Sequence, residues 1–258
     1  MAQRGDVPFD RVADSYDATR GGAERATAAA DDVREHLPPG LVLEIGTGTG
    51  IVAEALLASA PQVTGLAGVD ISAPMLAHAA RRIPGRALRA SALRLPFGPA
   101  TFDAVVAVHL LHLVPDLGAT LAEAARVLRP GGRFVAVHGR PVHDRDDDLD
   151  ASVRGLAALM GPPPDPPEVV RAAAEAAGLR CLLQRPATPH VMTPTPAQLA
   201  ALVEARSWSA LWNVDEAGWR EHVEPVLAEL RALPDQDRPR RQEARRTLSV
   251  FEREGPHA

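Results

Sequence analysis

The segment from Leu41 to Leu56 constrains the fold of this chain more than any other. A short apolar run, Leu41 to Ile45, precedes glycines at positions 46, 48 and 50, and a segment suited to a helix follows through Leu56. Glycines between a strand and a helix allow a tight turn, and the free amide groups at the helix start can face a ligand. The pattern predicts a strand–turn–helix unit that binds a nucleotide-like molecule.

The same alternation of strands and helices continues along the chain. Further strands are predicted at 65–70, 87–90, 102–108, 133–138, 179–184 and 247–251, and helices at 72–82, 117–128 and 168–177. This alternation is typical of a sheet with helices on both faces. We therefore predict an α/β fold with a doubly wound, mostly parallel, seven-stranded sheet.

Four segments organise the chain. We expect an N-terminal helical cap at 1–37, a core at 38–186, a helical insertion at 187–246 that could serve as a substrate lid, and a last strand with a C-terminal tail at 247–258. The insertion begins near a capping box, Thr195 to Gln198, and contains Trp208, Trp212 and Trp219. The spacing places Trp208 and Trp212 on one helical face. The three tryptophans would either fasten the insertion to the sheet or roof a substrate pocket.

The composition narrows the classes of protein and partner. The net charge of -5 gives no electrostatic reason to expect a nucleic acid or an anionic membrane, so a small-molecule partner is expected. The single cysteine, Cys181, excludes an iron–sulfur cluster. All 28 basic residues are arginines, so no lysine can form a Schiff base or complete a P-loop. With no apolar run of membrane-spanning length and no secretory signal, we expect a cytoplasmic protein.

The glycine loop alone leaves two ligands open. Gly48, Gly50 and Ala53 also fit a relaxed dinucleotide fingerprint. Asp70 stands about twenty residues further on, where a ribose-binding carboxylate is expected. The loop by itself therefore fits NAD as well as S-adenosylmethionine (SAM).

Five blocks in order resemble class I SAM-dependent methyltransferases. Val42 to Gly50 resembles their first motif, with Glu44 two positions before the first glycine. The other four blocks are Gly68 to Ser72 with Met75 and Leu76, Ser91 to Phe97, Phe102 to Asp116, and Ala125 to Gly132. A pattern of Phe9, Asp10, Ala13, Tyr16, Asp17 and Arg20 is similar to the family's entry helix. The resemblance implies a strand order of 3-2-1-4-5-7-6 with the seventh antiparallel, with SAM as cofactor and S-adenosylhomocysteine as product.

The resemblance also implies which residues contact the methionine and ribose parts of SAM. Gly46, Thr47 and Gly48 would pass beneath the methionine part, with Glu44 ordering the loop nearby. Asp70 would accept hydrogen bonds from both ribose hydroxyls, because a carboxylate is acceptor-only and can take two donors.

The adenine contacts follow from the second and third blocks. Ile71 and Met75 would sandwich the ring, and Ala92, next to Leu93, would hydrogen-bond it through the backbone. Ser91 stands where the family usually has aspartate, and its hydroxyl would accept a weaker bond.

The last implied contacts are at the methionine end. Val108 and His109 would face the methionine group from the end of the fourth strand. Tyr16 with Arg20 would close over the cofactor.

Methyl transfer itself requires mainly that acceptor, methyl and sulfur be aligned and water excluded. A base is needed only where the acceptor is protonated, and histidine is the usual choice. The candidate bases or substrate contacts are His109, at the carboxyl end of a strand, and His138 and His143 after the fifth strand. Each could instead be a structural histidine, which is what we expect of His112.

No metal site is predicted. The acidic run Asp144, Asp146, Asp147, Asp148 and Asp150 beside His143 lacks the spacing of an EF-hand, so a solvated loop is expected. The function predicted is methyl transfer from SAM to an oxygen, nitrogen or carbon nucleophile of a small molecule. The alternatives are a SAM-binding regulatory or partner protein without catalysis and, less favoured, an NAD-dependent oxidoreductase.

Overall fold

A computed structural model describes residues 8–143 and 147–255 of the chain. Its strands are β1 Gly40–Ile45, β2 Val63–Asp70, β3 Ala87–Arg89, β4 Phe102–Val108, β5 Leu128–His143, β6 Leu179–Pro186, β7 His190–Met192 and β8 Gln242–Arg253. Its helices are α1 Tyr16–Thr19, α2 Gly22–Arg34, α3 Ile51–Ser59, α4 Ala73–Arg82, α5 Leu117–Val127, α6 Asp148–Val153, α7 Ala157–Met160, α8 Pro167–Ala176, α9 Pro196–Glu204, α10 Glu216–Gly218 and α11 Glu224–Ala232. A π-helical turn, Trp219–Val223, lies between α10 and α11.

The described chain divides into two compact units. The first unit comprises residues up to 140, residues 164–188 and residues from 246 onward. The second comprises residues 141–163 and 189–245. The bounds of the predicted insertion, 187–246, nearly coincide with residues 189–245 of the second unit. Residues 141–163 also belong to this unit, although the sequence predicts them in the core.

The sheet of the first unit has the order β3-β2-β1-β4-β5-β8-β6. Strands β1 to β5 pair in parallel with their neighbours, and β6 is antiparallel to β8. Arg246 contacts Gly139 and Arg253 contacts Leu128, so β8 runs opposite to β5 as well. The predicted α/β class, strand order and reversed last strand are confirmed.

Both faces of this sheet are buried because apolar side chains on the central strands alternate between two clusters. On β4, Ala104 and Val106 contribute to a cluster shared with α2, α3 and α4. Val105 and Ala107 contribute to a second cluster shared with α5 and α8. Burial on both faces is what a doubly wound sheet requires, and it leaves the carboxyl ends of the strands as the edge where loops can bind ligands.

The second unit has its own apolar cluster. Its members come from α6, α9, α11 and the turns between them, and Trp208 and Trp219 pack against it. The capping box at Thr195 is formed as predicted, since the Thr195 hydroxyl accepts from Gln198 N and the Gln198 side-chain oxygen accepts from Thr195 N. Strand β7 pairs antiparallel with the first residues of β8.

Several local expectations were wrong. An eighth strand, β7, joins the seven that were predicted, and β5 extends on both sides of residues 133–138 because Leu128 already pairs with Phe102. Trp208 has extended backbone and precedes a 3-10 turn at Ser209–Leu211, so Trp208 and Trp212 do not share a helical face.

The acidic run is not simply a solvated loop. Asp147 and Asp150 form the capping box that starts α6, and Asp148 pairs with Arg240 at 3.0 Å. Asp144 and Asp146 lie outside the described residues. Within the described ranges, no group of three or more histidine, cysteine or acidic side chains is placed to hold a metal ion. No helix among those residues is long and apolar enough to cross a membrane.

Candidate active site

The loop after β1 is held against the end of β2 by backbone hydrogen bonds. Gly46 N and Thr47 N both donate to the carbonyl of Val69, at 2.8 and 3.0 Å. Gly48 N donates to Asp70 Oδ2 at 2.8 Å, and Ser72 N donates to Asp70 Oδ1 at 2.9 Å. Each oxygen of Asp70 thus accepts one backbone hydrogen bond and retains capacity for another donor.

Two glycines of the loop are required for different reasons. Gly46 has a φ of +69°, and a Cβ there would lie 2.6 Å from Leu110 Cδ1. Gly48 has a φ of +55°, yet a Cβ there would meet nothing within 4 Å. The space beside Gly48 is open, which is the arrangement a backbone needs in order to lie directly against a ligand.

Glu44 lies beneath the loop and is 2% exposed. Its Oε2 accepts a hydrogen bond of 2.5 Å from the Thr47 hydroxyl. Burial is the largest cause that raises the pKa of Glu44 to about 8; the Thr47 hydrogen bond acts in the opposite direction, and the nearby Asp70 charge contributes to the rise. Glu44 therefore orders the loop from the interior of the fold, through Thr47.

Asp70 is the more accessible of the two carboxylates. Burial also raises the pKa of Asp70, while the amide groups of Ser72 and Gly48 oppose that shift. The two donors preorganise the carboxylate at the carboxyl end of β2, next to the open space at Gly48.

The amino-terminal segment is tied to this loop by side-chain contacts. Asp17 accepts from the Thr49 hydroxyl at 2.7 Å and pairs with Arg82 at 2.8 Å. Arg82 also donates to the carbonyl of Thr49 at 2.9 Å. Asp10 accepts a 2.6 Å bond from Ser72 Oγ, which in turn caps α4. These contacts place residues 10–17 beside the glycine loop.

Tyr16 and Arg20 lie on this tied segment. The Arg20 guanidinium stands 5.7 Å from the centroid of the Tyr16 ring, and Phe9 meets that ring edge-on at 6.0 Å. Tyr16 and Arg20 are both half-buried.

The residues expected around adenine differ in exposure. Ile71 is 47% exposed, whereas Met75 is 2% exposed and has little surface for a ligand. The Ser91 hydroxyl accepts a 3.2 Å bond from Leu93 N, which closes a turn that contains Ala92. Ser91, Ala92 and Leu93 are all half-buried.

The carboxyl end of β4 completes the edge. Val108 is buried, and His109 follows with a φ of +56° while its amide donates to the carbonyl of Val137 at 2.8 Å. Because β1, β2 and β4 are parallel neighbours, Gly46, Asp70 and His109 come to the same edge of the sheet.

Comparison with known proteins identifies this region. A family model described as a methyltransferase domain matches residues 43–136, a range that contains the glycine loop, Asp70 and the end of β4. The chain carries a class I SAM-dependent methyltransferase domain. SAM is the cofactor of this family, so the matches favour SAM over NAD as the ligand of the loop.

Relatives and solved structures extend the comparison beyond the matched range. Ubiquinone/menaquinone biosynthesis C-methyltransferase UbiE of Desulfotalea psychrophila is 37% identical over 145 residues, covering 52% of this chain and 57% of that protein. Demethylmenaquinone methyltransferase of Thermus thermophilus is 35% identical over 143 residues, covering 52% and 64%. The chain thus spans less than two thirds of the length of these relatives. Geranyl diphosphate methyltransferase in complex with SAM matches with a TM-score of 0.54 at 17% identity, covering 98% of this chain and 93% of that chain.

The other two candidate histidines have partners of their own. His138 is fully buried, with Nδ1 at 3.1 Å from the Asp165 carbonyl and Nε2 at 2.8 Å from Ser249 Oγ. Burial lowers the pKa of His138, while the hydrogen bond to the Asp165 carbonyl opposes that shift. His143 belongs to the second unit, where it pairs with Asp150.

Some residues in or near the candidate site were not predicted from sequence. Thr49 and Arg82 take part in the network around Asp17. Asp165 and Arg246 lie far from the recognised blocks, and no motif marks them. Only the tertiary fold brings such residues into one place. The acidic residues Asp10 and Asp17 were visible as part of the amino-terminal pattern, but their partners were not.

Proposed function

We propose that this chain transfers a methyl group from SAM to a small-molecule acceptor. The observation that carries the proposal is the preorganised Asp70 carboxylate beside the open space at Gly48, with both of its oxygens oriented by backbone amides. This arrangement offers two acceptors to a ribose and an accessible backbone to the adjoining methionine part. When bound, SAM supplies an activated methyl group, so the residues of the chain mainly bind, orient and exclude water.

The loop residues hold the methionine and ribose parts of the cofactor. Gly46, Thr47 and Gly48 pass beneath the methionine part, and Glu44 keeps Thr47 in place from below. Asp70 accepts hydrogen bonds from the ribose hydroxyls, which are charge-assisted.

The adenine lies against the exposed side chain of Ile71. Ala92 and Leu93, in the turn closed by Ser91, present backbone groups to the edge of the ring. Met75 supports this region from within the fold, because its burial leaves little contact surface.

The acceptor side lies at the end of β4 and beneath the amino-terminal segment. Val108 and His109 face the methionine group, and Tyr16 and Arg20 cover it, with Arg20 assigned to the cofactor's carboxylate. His109 is the base where the acceptor is protonated. His138 keeps a structural role because both of its ring nitrogens have partners. His143 as a base and the insertion as a substrate lid stay predictions.

The acceptor atom is the least determined part of the proposal. The two relatives described above are named for methylation in quinone biosynthesis, and one of them for C-methylation. A hydroxylated aromatic or quinol acceptor is therefore the first to test, ahead of amines and carboxylic acids.

The proposal is tested by incubating the full chain with methyl-labelled SAM and a panel of quinols, phenols, amines and carboxylic acids. Label should pass to at least one acceptor, and His109→Asn should lower the rate by about 10² to 10⁴ where that acceptor is protonated. Asparagine is chosen because it tolerates the positive φ at this position. Tight SAM binding with no transfer across the whole panel would contradict the proposed activity.

A further inference from the structure

Three arginines of the first unit form a cluster that the cofactor site does not fully use. Arg20 and Arg25 lie on the amino-terminal segment, and Arg246 lies on β8; all three are half-buried. Arg25 Nη1 donates to the carbonyl of Arg20 at 3.0 Å, and the Arg25 side chain hydrogen-bonds that of Tyr16. Arg246 donates to the carbonyl of Gly139. We call these three residues the arginine cluster.

Arg25 and Arg246 together carry two positive charges, and the carboxylates of Asp17 and Asp165 act on them. Burial, together with the charge of Arg25, lowers the pKa of Arg246 to about 10. Asp165 acts on Arg246 in the opposite direction. Asp17 acts on Arg25 but already pairs with Arg82 and accepts from Thr49. Poorly solvated cations are costly unless a counter-charge is supplied.

Asp165 and His112 present unused polar atoms close to the cluster. Asp165 is 1% exposed, and its Oδ2 accepts from Gly139 N at 2.9 Å. Its Oδ1 is buried without a hydrogen-bond partner among the described residues, and so is Nδ1 of His112. Burial and the charge of Arg246 lower the pKa of His112 to about 4, against the opposing charge of Asp165, and leave a neutral ring. Buried polar atoms of this kind generally mark a missing partner.

We propose that Arg25 and Arg246, with Asp165 and His112 beside them, form the acceptor subsite and select a small molecule that carries an oxyanion group. This inference rests on the proposed function, because the acceptor must reach the methyl group of SAM. The cofactor's single carboxylate is assigned to Arg20, so two guanidinium groups remain for the acceptor. A guanidinium binds a carboxylate or a phosphate through two parallel hydrogen bonds, which makes oxyanions the shared chemistry. The open atoms of Asp165 and His112 then receive an O–H or N–H group of the same molecule.

The test is a calorimetric titration of the full chain loaded with S-adenosylhomocysteine. The probes are matched pairs, 4-hydroxybenzoate against 4-hydroxybenzamide and phenyl phosphate against phenol. We expect at least one anionic member to bind about 10-fold or more tightly than its neutral partner, the usual effect of a hydrogen bond to a charged group. The two pairs distinguish a carboxylate site from a phosphate site.

Two variants and one control assign the preference to the cluster. Arg246→Gln and Arg25→Gln should each reduce the anion preference about 10-fold. If loss of the Gly139 contact impairs the folding of Arg246→Gln, Arg25→Gln still tests the inference. Arg171→Gln, which removes an exposed arginine of α8, should leave the preference unchanged.

Two outcomes would overturn the inference. One is equal binding, or no binding, of the anionic and neutral probes by a chain that binds S-adenosylhomocysteine. The other is an anion preference that survives both variants. Failure of the proposed function would be seen separately, as absent cofactor binding or absent methyl transfer.

Discussion

Asp70 is the side chain on which the proposed SAM site depends most, and the Asp70→Asn substitution tests it. Each oxygen of Asp70 accepts one backbone amide, from Gly48 at 2.8 Å and from Ser72 at 2.9 Å, and keeps capacity for one ribose hydroxyl. Asparagine retains one oxygen and places an NH₂ group at the other. The variant therefore loses at least one charge-assisted bond to ribose, worth about 1.5 to 3 kcal/mol. This loss corresponds to a roughly 10- to 150-fold weaker affinity for SAM.

The assay must separate ribose binding from distortion of the loop. We suggest calorimetric titration of the wild-type chain and Asp70→Asn with S-adenosylhomocysteine and with its 2′-deoxy analogue. The wild-type chain should discriminate strongly between the two ligands, and the variant should discriminate less. Asp14→Asn is the control, because it removes an exposed carboxylate of the amino-terminal segment that contacts His78, at 2.9 Å, rather than the glycine loop. Unchanged affinity, or an undiminished preference for the 2′-hydroxyl in the variant, would refute the assignment of Asp70 to the ribose.

Three further predictions concern the loop and its supports. The pKa of Glu44 is about 8 in the folded chain, against an ordinary value of 4.5. Between these two pH values the folded chain binds a proton that the unfolded chain has lost, so the free energy of unfolding of the ligand-free chain should fall as pH rises from 4.5 to about 8. The free energy of unfolding should fall by at most about 1.4 kcal/mol per pH unit. Urea denaturation of Glu44→Gln should show a weaker dependence of this free energy on pH. The same pH dependence in both chains would contradict a buried, protonated Glu44. Asp17→Asn should destabilise the chain by about 1 kcal/mol in thermal or urea denaturation, since it weakens the contacts with Thr49 and Arg82, and a change no larger than that of Asp14→Asn would argue against this network. Gly48→Ala should cost about 1 to 2 kcal/mol of stability because of its positive φ, and it should weaken SAM binding by filling the open space; normal affinity would mean that the cofactor does not pass there.

The fold and the cofactor loop were largely predictable because their signals are local. Apolar runs of strand length, glycine turns and helix caps such as Ser72 and Thr195 lie within a few residues of what they determine. No local sequence signal determines the order of the strands in the sheet. That order was predicted from the resemblance of the five blocks to a known family. The turn after β1 was predictable from its own residues because its backbone conformation depends on the glycines themselves.

The proposed acceptor subsite was not predictable from sequence, because its contacts are not local. Asp165 and Gly139 are far apart in sequence and come together only when β5 and the start of α8 pack in one unit. His112 was expected to be structural, since no neighbour in sequence reveals that Arg246 acts on it. Met75 shows the same limit, because its burial depends on how α4 packs, whereas its position in the motif suggested a ligand contact.

The most direct test of the central claim is a pair of titrations of the full chain, one with SAM and one with NADH. The methyltransferase-domain match over residues 43–136, together with the arrangement of Asp70 and Gly48, predicts that SAM binds at one site per chain and that NADH does not bind there. Binding of NADH without binding of SAM would contradict the claim that the loop after β1 is a SAM site.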